Sequence, residues 1–320
     1  MLKLLFLGTS AARPTTERNV SALVVTREGE TLLFECGEGT QRQMMRYGVG
    51  FALDEVFFTH FHGDHYLGII GLVRTLGLQG RTEPMRLVGP RAGGAAKLLG
   101  QALALGVERP VFPVEIVEVE PDQVLAREGY ELRVFGVEHG GGAVGYALVE
   151  KERLGKFDPD RARELGVPEG PLWGKLQRGQ AVTLDDGREV AAETIVGLPR
   201  PGRKLVYSGD TRPCAATVEA ARGADLLVHE ATFGEEEKDR AKETAHATAR
   251  EAAEVARRAG ARKLVLTHLS ARYSRDAAVL LNEARAVFPE TVVARDGYEV
   301  EIPYADRGPA SGGTPEPVSG

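Results

Sequence analysis

The chain has 320 residues, 42% of them hydrophobic, and a formal net charge of −6. That length buries a sizeable core as one large domain or two intimate halves, and the negative charge argues against whole-protein attraction to nucleic acid while leaving room for a local basic surface or a bound cation. Two cysteines, Cys36 and Cys214, are too few for a disulfide framework and point to a reducing compartment.

The opening stretch MLKLLFLGTS carries one lysine and four consecutive apolar residues, Leu4 to Leu7. This is too short for a signal-peptide core and reads as a first buried strand. No apolar run reaches the ~18 residues of a membrane span, so we expect no membrane partner and a cytoplasmic location. Short β-branched or apolar runs follow: SALVV and TLLFECG around the REGE turn, DEVFFTH, MRLVGP, VEIVEVE and YELRVFGVEH. A second set comprises AVGYALVE, RKLVYSGD, ADLLVHE, KLVLTHLS and TVVARDGYEVEIPY. Helical patterns lie in LGIIGLVRTLG and AHATAREAAEVARRAG. Two sheets packed face to face with helices outside, an α/β architecture, suit this order. Residues 151–189 break the rhythm with glycines, prolines and the lone Trp173, and read as an excursion from the core. The Gly/Pro/Ser-rich segment 305–320 reads as a disordered tail. Two asparagines beside many arginines, glutamates and prolines hint at a heat-adapted source, a bias that a GC-rich genome also produces.

The seven histidines fall at the ends of these runs. In FFTHFHGDHYLG, His60 and His62 are two apart at a strand end and project to one side. Asp64 and His65 follow the Gly63 turn at the start of a helix. His139, His229 and His268 end later strand runs, Asp210 follows another, and His246 starts the AHATAREAA helix. Imidazole with carboxylate suits zinc or another first-row divalent ion. Four ligands this close crowd a single tetrahedral ion that must keep an open position. Two adjacent ions, completed by His139, Asp210 and His268, are the natural arrangement.

With these residues in view, the chain resembles the metallo-β-lactamase fold of two-metal hydrolases, a four-layer αββα sandwich. The resemblance narrows to the ribonuclease Z family through FLGTSAARPTTERNVS (6–21), CGEGTQRQ (36–43), THFHGDH (59–65) and GVPEGPLWGKLQRG (166–179). SGDTRP (208–213), VHEATF (228–233) and LTHLSARY (266–273) extend it over nearly the whole chain. It implies a metallo-β-lactamase domain over 1–304, with 151–189 inserted as a protruding tRNA-binding arm. The implied activity is zinc-dependent endonucleolytic removal of the 3′ trailer from precursor tRNA, leaving a 3′-hydroxyl on the tRNA. Attack by a hydroxide shared between two cations is the family chemistry. A hydrolase of small phosphodiesters on the same fold is the alternative.

By that resemblance, two zinc ions per subunit are held by His60, His62 and His139 on one side and by Asp64, His65 and His268 on the other. Asp210 bridges them, and the ligand set also accepts manganese or another divalent ion. Asp64 matches the general base, and His246 with Glu230 match the residues that protonate the departing 3′-oxygen. His229 is expected to brace the site. Arg272 is expected to grip a phosphate, and Arg18 and Asn19 to contact the RNA 3′ end. In the arm, eight Lys/Arg balance eight Asp/Glu, so binding there rests on how cations such as Lys156, Lys175 and Arg178 are distributed. In the family the arm of one subunit serves its partner's site, which implies a homodimer. Glu35 stands where the family has aspartate and Ala247 where it has serine or threonine. The PTTERN loop lacks the lysine that some members carry, which leaves the handling of encoded CCA ends open.

Overall fold

In the computed structural model, residues 1–107 and 109–304 are described, so the expected tail lies outside the described residues. The chain divides into two compact units, one of Met1–Val149 with Lys204–Pro303, the other of Glu150–Arg203 with Tyr304.

The larger unit holds two seven-stranded sheets. In the first, Glu299–Glu301, Leu2–Gly8, Ala22–Arg27 and Glu30–Phe34 pair antiparallel. Glu55–Phe57, Met85–Pro90 and Val114–Val119 then continue parallel to Glu30–Phe34. The hairpin between Ala22–Arg27 and Glu30–Phe34 turns at Glu28 (φ 49°) and Gly29 (φ 94°), the two left-handed residues that a tight hairpin matching strand twist requires. In the second sheet Lys204–Tyr207, Leu226–Glu230, Leu264–Thr267 and Thr291–Val293 run parallel. Val144–Glu150 pairs antiparallel to Lys204–Tyr207, with Tyr130–Gly136 and Val124–Ala126 beyond it.

Alternation along each strand builds the layers. Leu2, Leu4 and Phe6 face Tyr146, Leu205 and Val228 in the core between the sheets. Leu5 and Leu7 turn the other way, onto Leu72, Leu76 and Leu99 of the helices Ile69–Leu78 and Ala95–Leu103. On the far sheet Val206, Leu227 and Leu266 meet Ala252, Val255 and Ala256 of the helix Ala249–Ala259. Strands buried on both faces carry continuous apolar runs, as in Leu226–Val228 and Leu264–Leu266. The four-layer αββα sandwich expected from the sequence is the observed fold.

The smaller unit has its own core of Ala162, Val167, Leu176, Val182, Val190 and Ile195, with Trp173 packed on it. It holds the helices Pro159–Glu164 and Pro171–Gln177 and the two-stranded ribbon Val182–Thr183 and Glu189–Val190. Its limits reach past residue 189 to Arg203, because Phe157 and Arg153 bridge to Val196 and Arg200. Among the described residues no helix is long and apolar enough to cross a membrane.

Candidate metal centre

The parallel halves of both sheets deliver their loops to one end, where α/β folds gather function. The strand Glu55–Phe57 stops three residues short of His60, so His60 and His62 lie on a loop rather than on the strand expected for them. Their convergence therefore comes from loop anchoring. Phe58 N donates to Val88 O at 2.8 Å and Val144 N to Thr59 O at 2.9 Å. Asp64 and His65 sit in the single-turn helix Gly63–Tyr66. His139 follows Tyr130–Gly136, Asp210 follows Lys204–Tyr207, and His268, with φ 56°, directly follows Leu264–Thr267.

These side chains meet in two groups. Ligand atoms of His60, His62, His139 and Asp210 lie within 4.8 Å of one another, and so do those of Asp64, His65 and His268. His62 Nδ1 is 3.0 Å from His60 Nε2 and 3.2 Å from His139 Nε2. His268 Nε2 is 3.3 Å from both His65 Nε2 and Asp64 Oδ2. Asp210 Oδ2 stands between the groups, 3.6 Å from His60 Nε2 and 3.3 Å from both His65 Nε2 and His268 Nε2. Ligands ~2.0–2.1 Å from a tetrahedral ion are separated by edges of roughly 3.3–3.4 Å, and the donor set matches that spacing. Asp210 Oδ1 is buried without a hydrogen-bond partner among the described residues, an expense that a cation relieves.

Hydrogen bonds behind the site fix which nitrogens face it. His139 Nδ1 donates to Ala245 O at 2.9 Å. Thr59 Oγ1 donates to Glu35 Oε1 at 2.5 Å and so accepts from His60 Nδ1 at 3.0 Å. Thr232 Oγ1 likewise donates to Glu230 Oε2 at 2.7 Å and accepts from His268 Nδ1 at 3.0 Å. Nε2 of all three imidazoles is left bare for an ion. Glu35, fully buried, also accepts from Thr59 N at 3.1 Å and lies 3.5 Å from His65 Nδ1.

Electrostatics agree with this donor chemistry. Burial and the neighbouring imidazoles hold His60 well below its usual range, and burial lowers His62 too, so both present neutral rings. Burial opposes ionisation of Asp64 and Asp210, but His268 and His65 outweigh it and keep both carboxyls far below the ordinary range. Burial would also depress His65, yet Asp210 and Glu35 raise it well above its usual value. The ionised carboxylates of Asp64 and Asp210 thus offer negative charge to a divalent ion, whose binding would displace the proton from His65.

Beside the ligands, His246 Nδ1 donates to Glu230 Oε1 at 2.8 Å. His246 does not start the helix as expected. Thr248 caps Ala249–Ala259 through a reciprocal pair with Glu251, so His246 precedes the helix, where its ring is free to reach Glu230. Glu230 also accepts from Thr211 N, Ala247 N, and both N and Oγ1 of Thr232, at 2.7–3.2 Å. It is 1% exposed, and every lone pair serves the protein. His229 is buried and donates from Nδ1 to Glu230 O at 2.7 Å.

A cleft of about 980 Å³ opens onto His62, Asp64, His246 and His268 and is also lined by Arg13, Arg240 and Arg272. Arg240 and Arg272 sit over Phe233, 5.8 and 5.9 Å from its ring centre, and Arg272 pairs with Glu237. Arg13 and Arg240 escaped the sequence reading because a single arginine carries no spacing signal. Arg18 is 8% exposed, its Nη1 donates to Ala294 O and Thr9 Oγ1 at 2.6 and 2.7 Å, and its Nε donates to Ser274 O, so its guanidinium is engaged in holding the 9–19 loop. Asn19 is similarly engaged, its side-chain amide donating to Glu38 O at 2.9 Å and its backbone N to Asp296 Oδ2 at 2.6 Å. In the smaller unit Lys156, Lys175 and Arg178 are exposed and make no ion pair among the described residues, whereas Arg161 and Arg163 are paired with Glu164, Asp160 and Glu169.

Two family models match, one described as Beta-lactamase superfamily domain over residues 175–269, the other as Anti-Pycsar protein Apyc1 over residues 2–149. Ribonuclease Z of Gemmatimonas aurantiaca is 62% identical over 93% of this chain and 95% of its own. This chain belongs to the ribonuclease Z family. Ribonuclease Z of Myxococcus xanthus is 60% identical over 96% and 99% of the two chains. The structure of the short form of human tRNase Z superposes with a TM-score of 0.69 at 28% identity, covering 94% of this chain and 99% of that one. The metallo-β-lactamase-fold protein YhfI of Bacillus subtilis, at 20% identity, 93% and 98% coverage and a TM-score of 0.66, shares the fold. Membership of the ribonuclease Z family makes the chain a metal-dependent endoribonuclease of tRNA 3′ processing.

Proposed function

We propose that the chain is a zinc-dependent enzyme that cuts the 3′ trailer from precursor tRNA and leaves a 3′-hydroxyl on the tRNA. The observation that carries this is Asp210 Oδ2 standing between two donor groups with the His246–Glu230 pair alongside. His60, His62 and His139 would hold one ion and Asp64, His65 and His268 the other, with Asp210 between the two donor groups. When bound, two divalent cations supply an activated water and neutralise charge on the phosphoryl oxygens.

The chain's own residues do the rest. Asp64, its Oδ2 accepting from Ala12 N at 2.7 Å, orients the attacking water and takes its proton. His246 gives a proton to the departing 3′-oxygen, a step whose catalysis is worth about 10²–10⁴-fold. Glu230 acts through His246, since its oxygens are fully used within the protein. Arg272, with Arg13 and Arg240, offers guanidinium groups to phosphates entering the cleft. The unit Glu150–Arg203 grips the tRNA body through Lys156, Lys175 and Arg178, in a cytoplasmic homodimer whose arms serve the partner's sites.

Hydrolysis of small phosphodiesters is the second reading, since the cleft of about 980 Å³ beside the donor groups also admits a small ester. The zinc-loaded protein is to be incubated with a 3′-extended tRNA precursor and with bis(p-nitrophenyl) phosphate. Cleavage of the precursor at the 3′ end, lost on deletion of residues 155–180 while the ester is still cut, supports the proposal. Cleavage of the ester alone by the intact protein overturns it.

A further inference from the structure

Between the helices Lys238–Glu243 and Ala249–Ala259 the chain has five residues, 244–248, with tasks facing different ways. Ala245, at φ 58°, turns its carbonyl to His139 Nδ1. His246 sends its ring to Glu230, and Ala247 N donates to the same carboxylate. A hydrogen bond at Nδ1 alone leaves an imidazole free to pivot about that atom.

The backbone that carries the ring is held from behind by Arg212, two residues past Asp210. Its Nη1 donates to the carbonyl of His246 at 2.5 Å and to Glu251 Oε2 at 2.7 Å, and its Nη2 donates to Glu251 Oε1 at 2.5 Å. Glu251 Oε2 also accepts from Thr248 N at 3.0 Å, so the carboxylate that caps the helix anchors the guanidinium as well. Arg212 is fixed at its own backbone, N donating to Glu138 O at 2.9 Å beside the ligand His139. The Arg212 and Glu251 side chains are 20% and 11% exposed. Two parallel bonds to a carboxylate and a third to a carbonyl need the planar fork of arginine; a lysine ammonium cannot reproduce them.

We propose that Arg212, locked to Glu251, is a positioning residue that holds His246 in the orientation for protonating the departing oxygen. This rests on the reading of His246 as the acid. A misplacement of about 1 Å costs on the order of 10²-fold in a positioned reaction, and the three bonds to Glu251 and His246 prevent it.

The test uses leaving-group dependence in the metal-loaded dimer or monomer as purified. A ribose 3′-oxygen needs a proton to depart; p-nitrophenolate does not. Arg212→Met should lose on the order of 10²-fold in kcat on precursor tRNA with KM unchanged. It should keep its metal content and its rate on bis(p-nitrophenyl) phosphate. Arg212→Lys should not restore the loss, and Arg212→Met added to His246→Ala should cost nothing further. Thr248→Ala, which weakens the same helix start without touching the guanidinium, serves as the folding control and should leave the ratio of the two activities unchanged. Equal loss on both substrates, loss of metal, or wild-type cleavage of tRNA by Arg212→Met overturns the clamp. If His246→Ala cuts precursor tRNA normally, the reading of His246 as the acid is what fails, and the clamp falls with it.

Discussion

Oε1 of Glu230 accepts from Nδ1 of His246 at 2.8 Å, and the other oxygen of that carboxylate is taken by Thr232 and Ala247. Burial pushes the His246 imidazolium down, but the charge and hydrogen bond of Glu230, with Asp210 behind, outweigh it and raise the group from 6.5 to about 9. A raised value means that the ring of the metal-free protein stays protonated until pH rises through about 9. Replacing Glu230 by glutamine removes the main raising cause, and the midpoint should fall. Adding cations beside Asp210 should lower it as well. NMR titration of the His246 ring measures all three; an unmoved midpoint in Glu230→Gln contradicts the pairing.

Glu35 reaches two of the clustered imidazoles, lying 3.5 Å from His65 Nδ1 and bonding to His60 through Thr59. Glu35→Gln turns an amide NH2 toward donors that expect an acceptor. Metal affinity should fall by about 10–100-fold, the usual effect of losing an outer partner of a metal ligand. Competition with a chromogenic chelator reads this directly, and wild-type affinity in the variant would show that Glu35 only fills space.

Lys175 and Arg178 lie three apart, at the end of the helix Pro171–Gln177, and are exposed. If each neutralises one tRNA phosphate, the double alanine variant should bind precursor more weakly. The slope of log K against log salt should shrink by roughly 0.7–0.9 per contact. Binding isotherms at several salt concentrations decide it, and an unchanged slope places these cations away from the RNA.

Arg18→Met leaves the Ala294 and Ser274 carbonyls without their donor. Stability should drop by roughly 1.5–3 kcal/mol, the worth of hydrogen bonds to a charged group, with KM for tRNA in the folded fraction unaffected. Urea unfolding beside steady-state kinetics separates these effects. A KM increase without destabilisation would return Arg18 to the RNA interface.

The donor set was legible in the sequence because histidine and aspartate are scarce at strand ends unless they have work there, and His60 through His268 converge as expected. Strand alternation does not account for His60 and His62, which lie on a loop whose direction is set by Thr59, Val88 and Val144. Thr248 and Glu251 form the T-x-x-E signature of a helix start, so the displacement of His246 from the helix was readable. The saturation of Glu230, the engagement of Arg18 and the reach of Arg212 to His246 were not, since each depends on partners brought close only by the fold.

The four donors of the Thr59–His65 loop belong to one sheet, and His139, Asp210 and His268 to the other. A divalent cation held by donors from both sheets would tie the two layers of the sandwich together at one end. Parting the sheets would then require releasing that cation first, so metal occupancy should set the rate of unfolding as well as the equilibrium. Chelation should therefore speed proteolysis of the folded protein at elevated temperature. Resistance to proteolysis at elevated temperature is then a property of the cations as much as of the core.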